Sequence, residues 1–383
     1  MNNSVDHHHR KIVRVNTQPS SSRNTIPNDL IIEILLRLTS KSIAICRCVS
    51  KQWNSLLGTP YFTESFLIRS SARPRILFTF EVGDKWHICS APQPQDLDKD
   101  LTVVHADYHM GISGKSYYEN CLSVHGLICL TGRVPVICNP STGQHITLSE
   151  VKARNKSLRS FLGYDLINKQ FKVLCMTVST YRQQRKSKEH QVLTLGKGEV
   201  EWRKTECSFP HYPEDYRDGI SICINGVLYY PARSNHTSLI ACFDVRSEEF
   251  SFVKLEVGVS NIVALVNYKG KLGALAYLYA RPGELWVLDD TKNEKWSKHS
   301  FVLPHTALQE MKSIWATDTG EIVWVLPHYS KSPFYVFFYN PETKSVRRIE
   351  IKGIKEKVLK GQDSHVQVQN FNVTNHVENL IVV

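Results

Sequence analysis

Three groups of side chains in this 383-residue sequence are of types that can do chemistry. His7, His8 and His9 could ligate a metal, the adjacent acids Glu248-Glu249 and Asp289-Asp290 could share a proton, and Cys121 with His125 could form a thiol and base pair. Their settings argue otherwise. Three consecutive imidazoles in a polar leader lack the spacing and the supporting hydrogen bonds of a metal site. Both acid pairs fall in turn-forming stretches, where solvation and turn chemistry account for them. Cys121 and His125 stand on a strand entering a hairpin, where packing explains them. The sequence contains no GxSxG, HExxH or GxxxxGK[ST] pattern. These observations predict no catalytic residues, no metal and no cofactor. The ten cysteines are scattered without a CxxC pair, and several lie in apolar runs such as the one around Cys129. They read as reduced, buried small hydrophobes.

Composition narrows the function classes further. Hydrophobic residues at 42% and charged residues at 22% are ordinary globular values. No run approaches the roughly 18 apolar residues of a membrane span, and the first ten residues have no apolar stretch. The expectation is a soluble protein of the cytoplasm, the nucleus or both. The formal charge of +11 is uneven, with eight Lys/Arg against three Asp/Glu in residues 1–57. A basic helical module acting on nucleic acid, or as another kind of scaffold, is therefore the alternative reading. Residues 43–57 speak against it, because only Arg47, Lys51, Gln52 and Asn54 could reach bases, beside an apolar majority.

The elements that must position any function begin after a polar leader, residues 1–24, which is expected to be disordered. Residues 25–70 form a helical module. Pro27 suits a first helical turn, Asp29 favours the positive end of the helix dipole, and Glu33 with Arg37 is an i,i+4 pair. Beyond the first turn, Glu33 and Arg37 are the only polar residues as far as Leu38, so apolar side chains occupy most of the circumference. Two shorter helices follow at 42–49 and 50–57, each opened by a serine. Three short helices make a small core, which predicts that the module lives against a partner.

The strings Ile26-Pro27-Asn28-Asp29-Leu30, Leu36-Arg37-Leu38, Ser42-Ile43 and Arg47-Cys48-Val49-Ser50-Lys51-Gln52-Trp53 resemble the F-box, with Ile26 standing where that family usually has Leu and Thr39 where it has Pro. The resemblance implies docking to a Skp-type linker and, through it, to the cullin and RING subunits of a ubiquitin ligase. It also implies that Pro27, Leu30, Ile34, Leu35, Ile43, Val49 and Trp53 divide between module core and linker contact.

Residues 71–383 read as mainly β: short runs of Val, Ile, Phe, Tyr and Trp separated by Gly, Asn, Asp and Pro turns. A Gly-centred hairpin followed by an apolar run recurs at Gly126, Gly226, Gly270 and Gly320, each time with a second hairpin after it. The spacing of about 44 to 50 residues suits the blades of a β-propeller. Units at 117–148, 160–207, 219–255, 261–303 and 312–351, with strands left over at 75–104 and 367–383, give six blades, or seven on another division. Ring closure through the C-terminus would use the leftover strands, with the apolar Leu380-Ile381-Val382-Val383 read as part of the last one. Ser123-Val124-His125-Gly126-Leu127-Ile128-Cys129 and Cys138-Asn139-Pro140-Ser141-Thr142-Gly143 resemble the plant F-box-associated domains, kelch-like in architecture. That likeness implies a non-catalytic substrate receptor.

In a propeller, the loops joining the second and third strands of all blades leave on one face. Here they carry Arg133, then Tyr181, Arg182 and Arg185, then Arg233, then Tyr279 and Arg281, then Tyr329 and Lys331, with few acids. Arginine forks pair with carboxylate or phosphate and tyrosines add rigid contact, so these residues predict capture of an acidic or phosphorylated protein target of unknown identity.

Overall fold

A computed structural model describes residues 26–94, 101–113, 120–132, 134–151, 156–179, 187–196, 201–214, 221–235, 237–255, 262–276, 283–301, 312–325, 334–354, 358 and 368–383. The leader expected to be disordered lies outside them.

Four helices come first: α1 (Asn28–Leu35), α2 (Ser40–Arg47), α3 (Lys51–Leu57) and α4 (Pro60–Ser71). The sequence reading had three. The fourth is opened by Thr59, whose side chain accepts from the Phe62 amide at 3.3 Å, and by Pro60 at a position where its missing N–H costs nothing. Its residues Phe62, Phe66 and Ser70, spaced four apart, are buried. Phe62 and Phe66 pack with Leu35, Leu36, Ile43 and Leu57 into one apolar cluster. Among the described residues no helix is long and apolar enough to cross a membrane.

Six sheets follow, so the six-blade division holds. Their inner strands, in ring order, are Val368–His376, Asn120–Val124, Lys156–Asp165, Ile222–Ile224, Ile262–Tyr268 and Lys312–Ala316. Each touches the next, and the sixth touches the first, so the ring is closed. Blade 1 adds Arg75–Val82, Lys85–Pro92 and Asp107–Ser113 to its inner strand, all antiparallel. Apolar layers fill the interfaces between neighbouring blades. Because a blade is covered on both faces, strands such as Leu127–Thr131 are buried at every position instead of alternating.

Two strands behave differently from the sequence expectation. Leu101–His105 does not belong to blade 1. It crosses to the outer edge of blade 6, pairs in parallel with Ser345–Lys352, and the chain then returns to blade 1 at Asp107. The ring is thus sealed twice, by Val368–His376 at its inner rim and by Leu101–His105 at its outer rim. The second difference concerns the C-terminus. The closing strand ends at His376, and residues 377–383 are not in a strand. Their apolar side chains serve packing instead: Leu380 enters the helical core, and Ile381 and Val383 lie against blades 2 to 4.

The seam between blades 6 and 1 is lined by Phe78, fully buried, with the Phe334 ring edge-on at 5.9 Å. Phe78→Ala is expected to lower the stability of the whole ring by about 3–5 kcal/mol, as measured by denaturant unfolding. The transition should stay single, because a closed ring has no terminal blade to unfold alone. A separate early transition confined to blades 1 and 6 would contradict closure.

Candidate functional site

The helical module divides the seven residues singled out in its sequence. Leu35 and Ile43 are buried in the core, and Trp53 is half-buried against it. Leu30 and Ile34, one turn apart on α1, are 56% and 55% exposed, and Val49 is 63% exposed just past α2. Pro27 precedes α1 at its N-cap and makes no side-chain hydrogen bond there. Sequence reasoning missed one partner in this set: Ile45, 65% exposed and four residues before Val49. Ile26 is exposed as well. Its spacing from Leu30 and Ile34, and that of Ile45 from Val49, was the available signal. The module keeps a filled core and still shows six large aliphatic side chains to solvent, Ile68 of α4 being the sixth, and the five on or beside α1 and α2 make a candidate docking surface.

Charged side chains border this surface. Glu33 on α1 accepts from Arg69 on α4 at 2.9 Å and from Arg37 at 3.4 Å. The Arg69 hydrogen bond is the main cause of a carboxyl pKa below the ordinary range. Arg73 donates to the carbonyls of Arg37 and Leu36 at the end of α1. Thr39, at the position where the F-box usually has Pro, caps α2 by accepting from the Ser42 amide at 3.3 Å. The substitution exchanges a rigid residue for a capping one, and α2 starts there regardless.

The module sits on the ring face that carries the first-to-second and third-to-fourth strand turns. Lys169, in such a turn of blade 3, reaches Glu64 of α4 at 2.6 Å. His125 and Asn139, in the two turns of blade 2, hold residues 377–383 beside the helices. The second-to-third connections leave from the opposite face. Of the nine residues proposed there, Arg233 is described. It is paired with Glu214 at 2.9 Å, and its Nε lies 3.4 Å from the Ser238 hydroxyl. Its Nε is therefore already engaged within blade 4. Arg133, Tyr181, Arg182, Arg185, Tyr279, Arg281, Tyr329 and Lys331 lie outside the described residues.

The two acid pairs and His125 have structural partners, and the side chain of Cys121 lies outside the described residues. Glu248 lies between Lys172, at 2.7 Å, and Arg203. Burial pushes its carboxyl pKa up, and hydrogen bonds from those two cations outweigh the burial and leave it lowered. Asp290 accepts from the Lys292 and Asn293 amides, closing its turn, while Asp289 pairs with Lys271 at 2.7 Å. The His125 ring lies 4.4 Å from that of Tyr164, and burial lowers its pKa. Among the described residues no three His, Cys, Asp or Glu side chains gather as metal ligands would. His7, His8 and His9 lie outside that set.

Residues 75–377 match the F-box associated beta propeller domain, and residues 24–65 match the F-box domain. Two Arabidopsis thaliana proteins are similar over nearly the whole chain. Putative F-box protein At1g46840 is 50% identical over 98% of this chain and 79% of its own length. Putative F-box protein At1g46984 is 49% identical over 97% of each. F-box protein DOR of the same plant is 42% identical over 86% of this chain and 88% of its own length. Solved structures are more distant: TolB from Acinetobacter baumannii has a TM-score of 0.43 at 8% identity, over 78% of this chain and 66% of that one.

The junction between ring and helices has a titration signature. His376, the last residue of the closing strand, is fully buried, and burial first, then the nearby His109 and Arg75, push its imidazole down to about 3 from the usual 6.5. The unfolded chain therefore binds a proton that the folded chain refuses between those two values. Stability from the neutral ring is complete above about pH 6.5 and drains away as the pH falls toward 3. His376→Phe is expected to flatten the fall in stability between pH 6.5 and 4 by roughly 1.4 kcal/mol per pH unit. Denaturation midpoints at several pH values check this. Parallel curves for the two proteins would show that His376 does not titrate with folding.

Proposed function

The chain belongs to the plant F-box proteins that carry an F-box associated β-propeller, and on that premise we propose that it is the substrate receptor of a Skp–cullin–F-box ubiquitin ligase. The observation that carries this reading is the set of exposed aliphatic residues on α1, on α2 and just past α2, Leu30, Ile34, Ile45 and Val49, above a filled core. Such side chains cost free energy in water, at about 25 cal/mol for each Å² left uncovered. A linker protein that covers them recovers it. The chain would supply proximity without chemistry. Its helices hold the linker, its ring holds a target, and a conjugating enzyme brought in through the cullin and RING subunits modifies the target's lysines.

The target would meet the face opposite the helices. Arg182, Arg185 and Arg281, with Tyr181, Tyr279 and Tyr329, are suited to an acidic or phosphorylated protein surface. Arg233 contributes less to such a contact, because its charge is offset by Glu214.

Two experiments test the two halves. Leu30→Ala with Ile34→Ala should weaken binding to a recombinant Skp-type linker by roughly a hundredfold or more, as interface anchors do, while leaving stability nearly unchanged. Ile43→Ala, in the core, should instead cost about 2–5 kcal/mol of stability in the helices. Undiminished linker binding by the double variant would show that Leu30 and Ile34 are not the docking anchors, and no binding by the unaltered protein would remove the linker-docking reading. Arg182→Glu with Arg281→Glu should reduce target capture and its salt dependence while sparing the linker. Capture that survives both reversals and is abolished by changes on the helical face would place recognition elsewhere.

A further inference from the structure

Residues 377–383 touch the helices and the ring at once. Toward the helices, the Glu378 carboxylate accepts from the Ser40 hydroxyl at 2.6 Å and faces the Ser40 amide at 3.4 Å, in the first turn of α2. The Glu378 amide donates to the Ser70 hydroxyl, in the last turn of α4, at 2.7 Å. Two residues on, Leu380 is buried with Leu35, Leu36, Ile43, Leu57, Phe62 and Phe66, joining the six core residues that the helices supply.

Toward the ring, blade 2 provides a seat. The Asn379 amide donates to the Ser141 hydroxyl at 3.1 Å, and its side-chain nitrogen donates to the His125 carbonyl at 2.7 Å. Asn139 donates through its side-chain nitrogen to the carbonyls of Asn379 and Ile381, at 2.9 and 2.8 Å. Gly126 completes the seat. A Cβ there would come within 2.6 Å of the Val377 carbonyl oxygen and the Asn379 Cβ.

The side chain of Asn139 has two duties. Its side-chain oxygen accepts from the Ser141 amide and so closes its own turn. Asp244, Asp290 and Asn340 close the corresponding turns of blades 4, 5 and 6 in the same way. A carboxylate suffices for the turn but has no N–H to offer the tail. In blade 2 the side-chain nitrogen of Asn139 is used as well, on the Asn379 and Ile381 carbonyls.

From this arrangement we infer that residues 377–383 are a strap that completes the linker-docking helices in cis, so that the helices hold their docking surface only once the ring has closed. The strap follows the closing strand without a break. His376 is fixed opposite Arg75 by sheet pairing, which sets where Glu378 and Leu380 begin. An open ring would leave Val368–His376 unplaced, α2 without its Glu378 partner and the helical core without Leu380. A receptor whose propeller has failed to fold would then fail to join the ligase. The inference rests on the proposed role of the helices, and its first measurement is independent of that role.

Hydrogen exchange on the full chain tests it, comparing the unaltered protein with Leu380→Ala and with Asn139→Asp. Leu380→Ala opens a cavity in the helical core, and Asn139→Asp keeps the turn while removing both donors to the tail. In each, amides of α1 to α4 should exchange roughly tenfold or more faster, while Arg75–Val82 and Leu127–Thr131 keep their protection. Affinity for a recombinant Skp-type linker should fall in parallel. Helix protection unchanged in both variants would overturn the strap, as would equal loss of protection in helices and ring strands. Helices that loosen as expected, in a protein that never binds the linker, would uphold the strap and reject the docking role.

Discussion

The pairing of Val368–His376 with Arg75–Val82 is the interaction on which the rest of the molecule depends. A blade whose strands are buried on both faces has no stable existence alone, since each face needs a neighbour to cover it. Only a closed cycle gives every blade two neighbours. Closing it joins residues almost the whole domain apart, and the entropy lost rises only with the logarithm of that separation, so the cost is bearable where the interface is large and apolar. The seam meets that condition with Ile76, Phe78, Phe80, Val323, Val336, Phe338 and Val373 in one cluster. Leu101–His105 then pairs across the outer rim of the same interface, so it is held at both edges.

From the seam the constraint passes to the helices. The four helices span little more than 40 residues, too few to bury a core that is stable by itself. Part of what they lack comes from Leu380, Glu378 and the Lys169–Glu64 pair, each supplied by or through the ring. The rest of their apolar surface stays exposed. The same shortage of core that makes the module depend on the ring also leaves it with aliphatic side chains to offer a partner.

The blades were legible because their turns have demanding chemistry. His125-Gly126, Asn225-Gly226 and Lys269-Gly270 all hold positive φ, which few residue pairs adopt, so their recurrence marks a repeat even where the strands between them have little in common. The strand Leu101–His105 was not legible as a member of blade 6. Its five residues carry no turn signal tying them to a partner strand about 250 residues away. The split of the helical residues was hidden for a related reason. Which side of α1 faces inward is decided by Phe62 and Phe66 on α4, and the signal for that helix, Thr59-Pro60, was passed over. Leu380 misled because an apolar run reads equally well as a strand or as packing, and only its neighbour Asn379, with both ends of its side chain engaged, shows which.

On the proposed reading, the topology also separates the two binding duties in space. The chain passes from α4 into Arg75–Val82 and leaves Val368–His376 toward the helices at the same rim, so the helices sit over that rim. The strands Leu127–Thr131, Gln170–Ser179, Val227–Ser234, Lys271–Ala276 and Ile322–Val325 all end at the other rim, where the basic connections begin. At about 3.3 Å per residue, strands of this length set the two rims roughly 13–33 Å apart. A target held at one rim and a linker at the other can be presented reproducibly to a third protein only if nothing between them bends. Doubly sealed blades and a strap tied to both halves remove the obvious hinges. If the chain is a substrate receptor as proposed, the rigidity of the ring is part of that function, because proximity without chemistry works only when the distance is fixed.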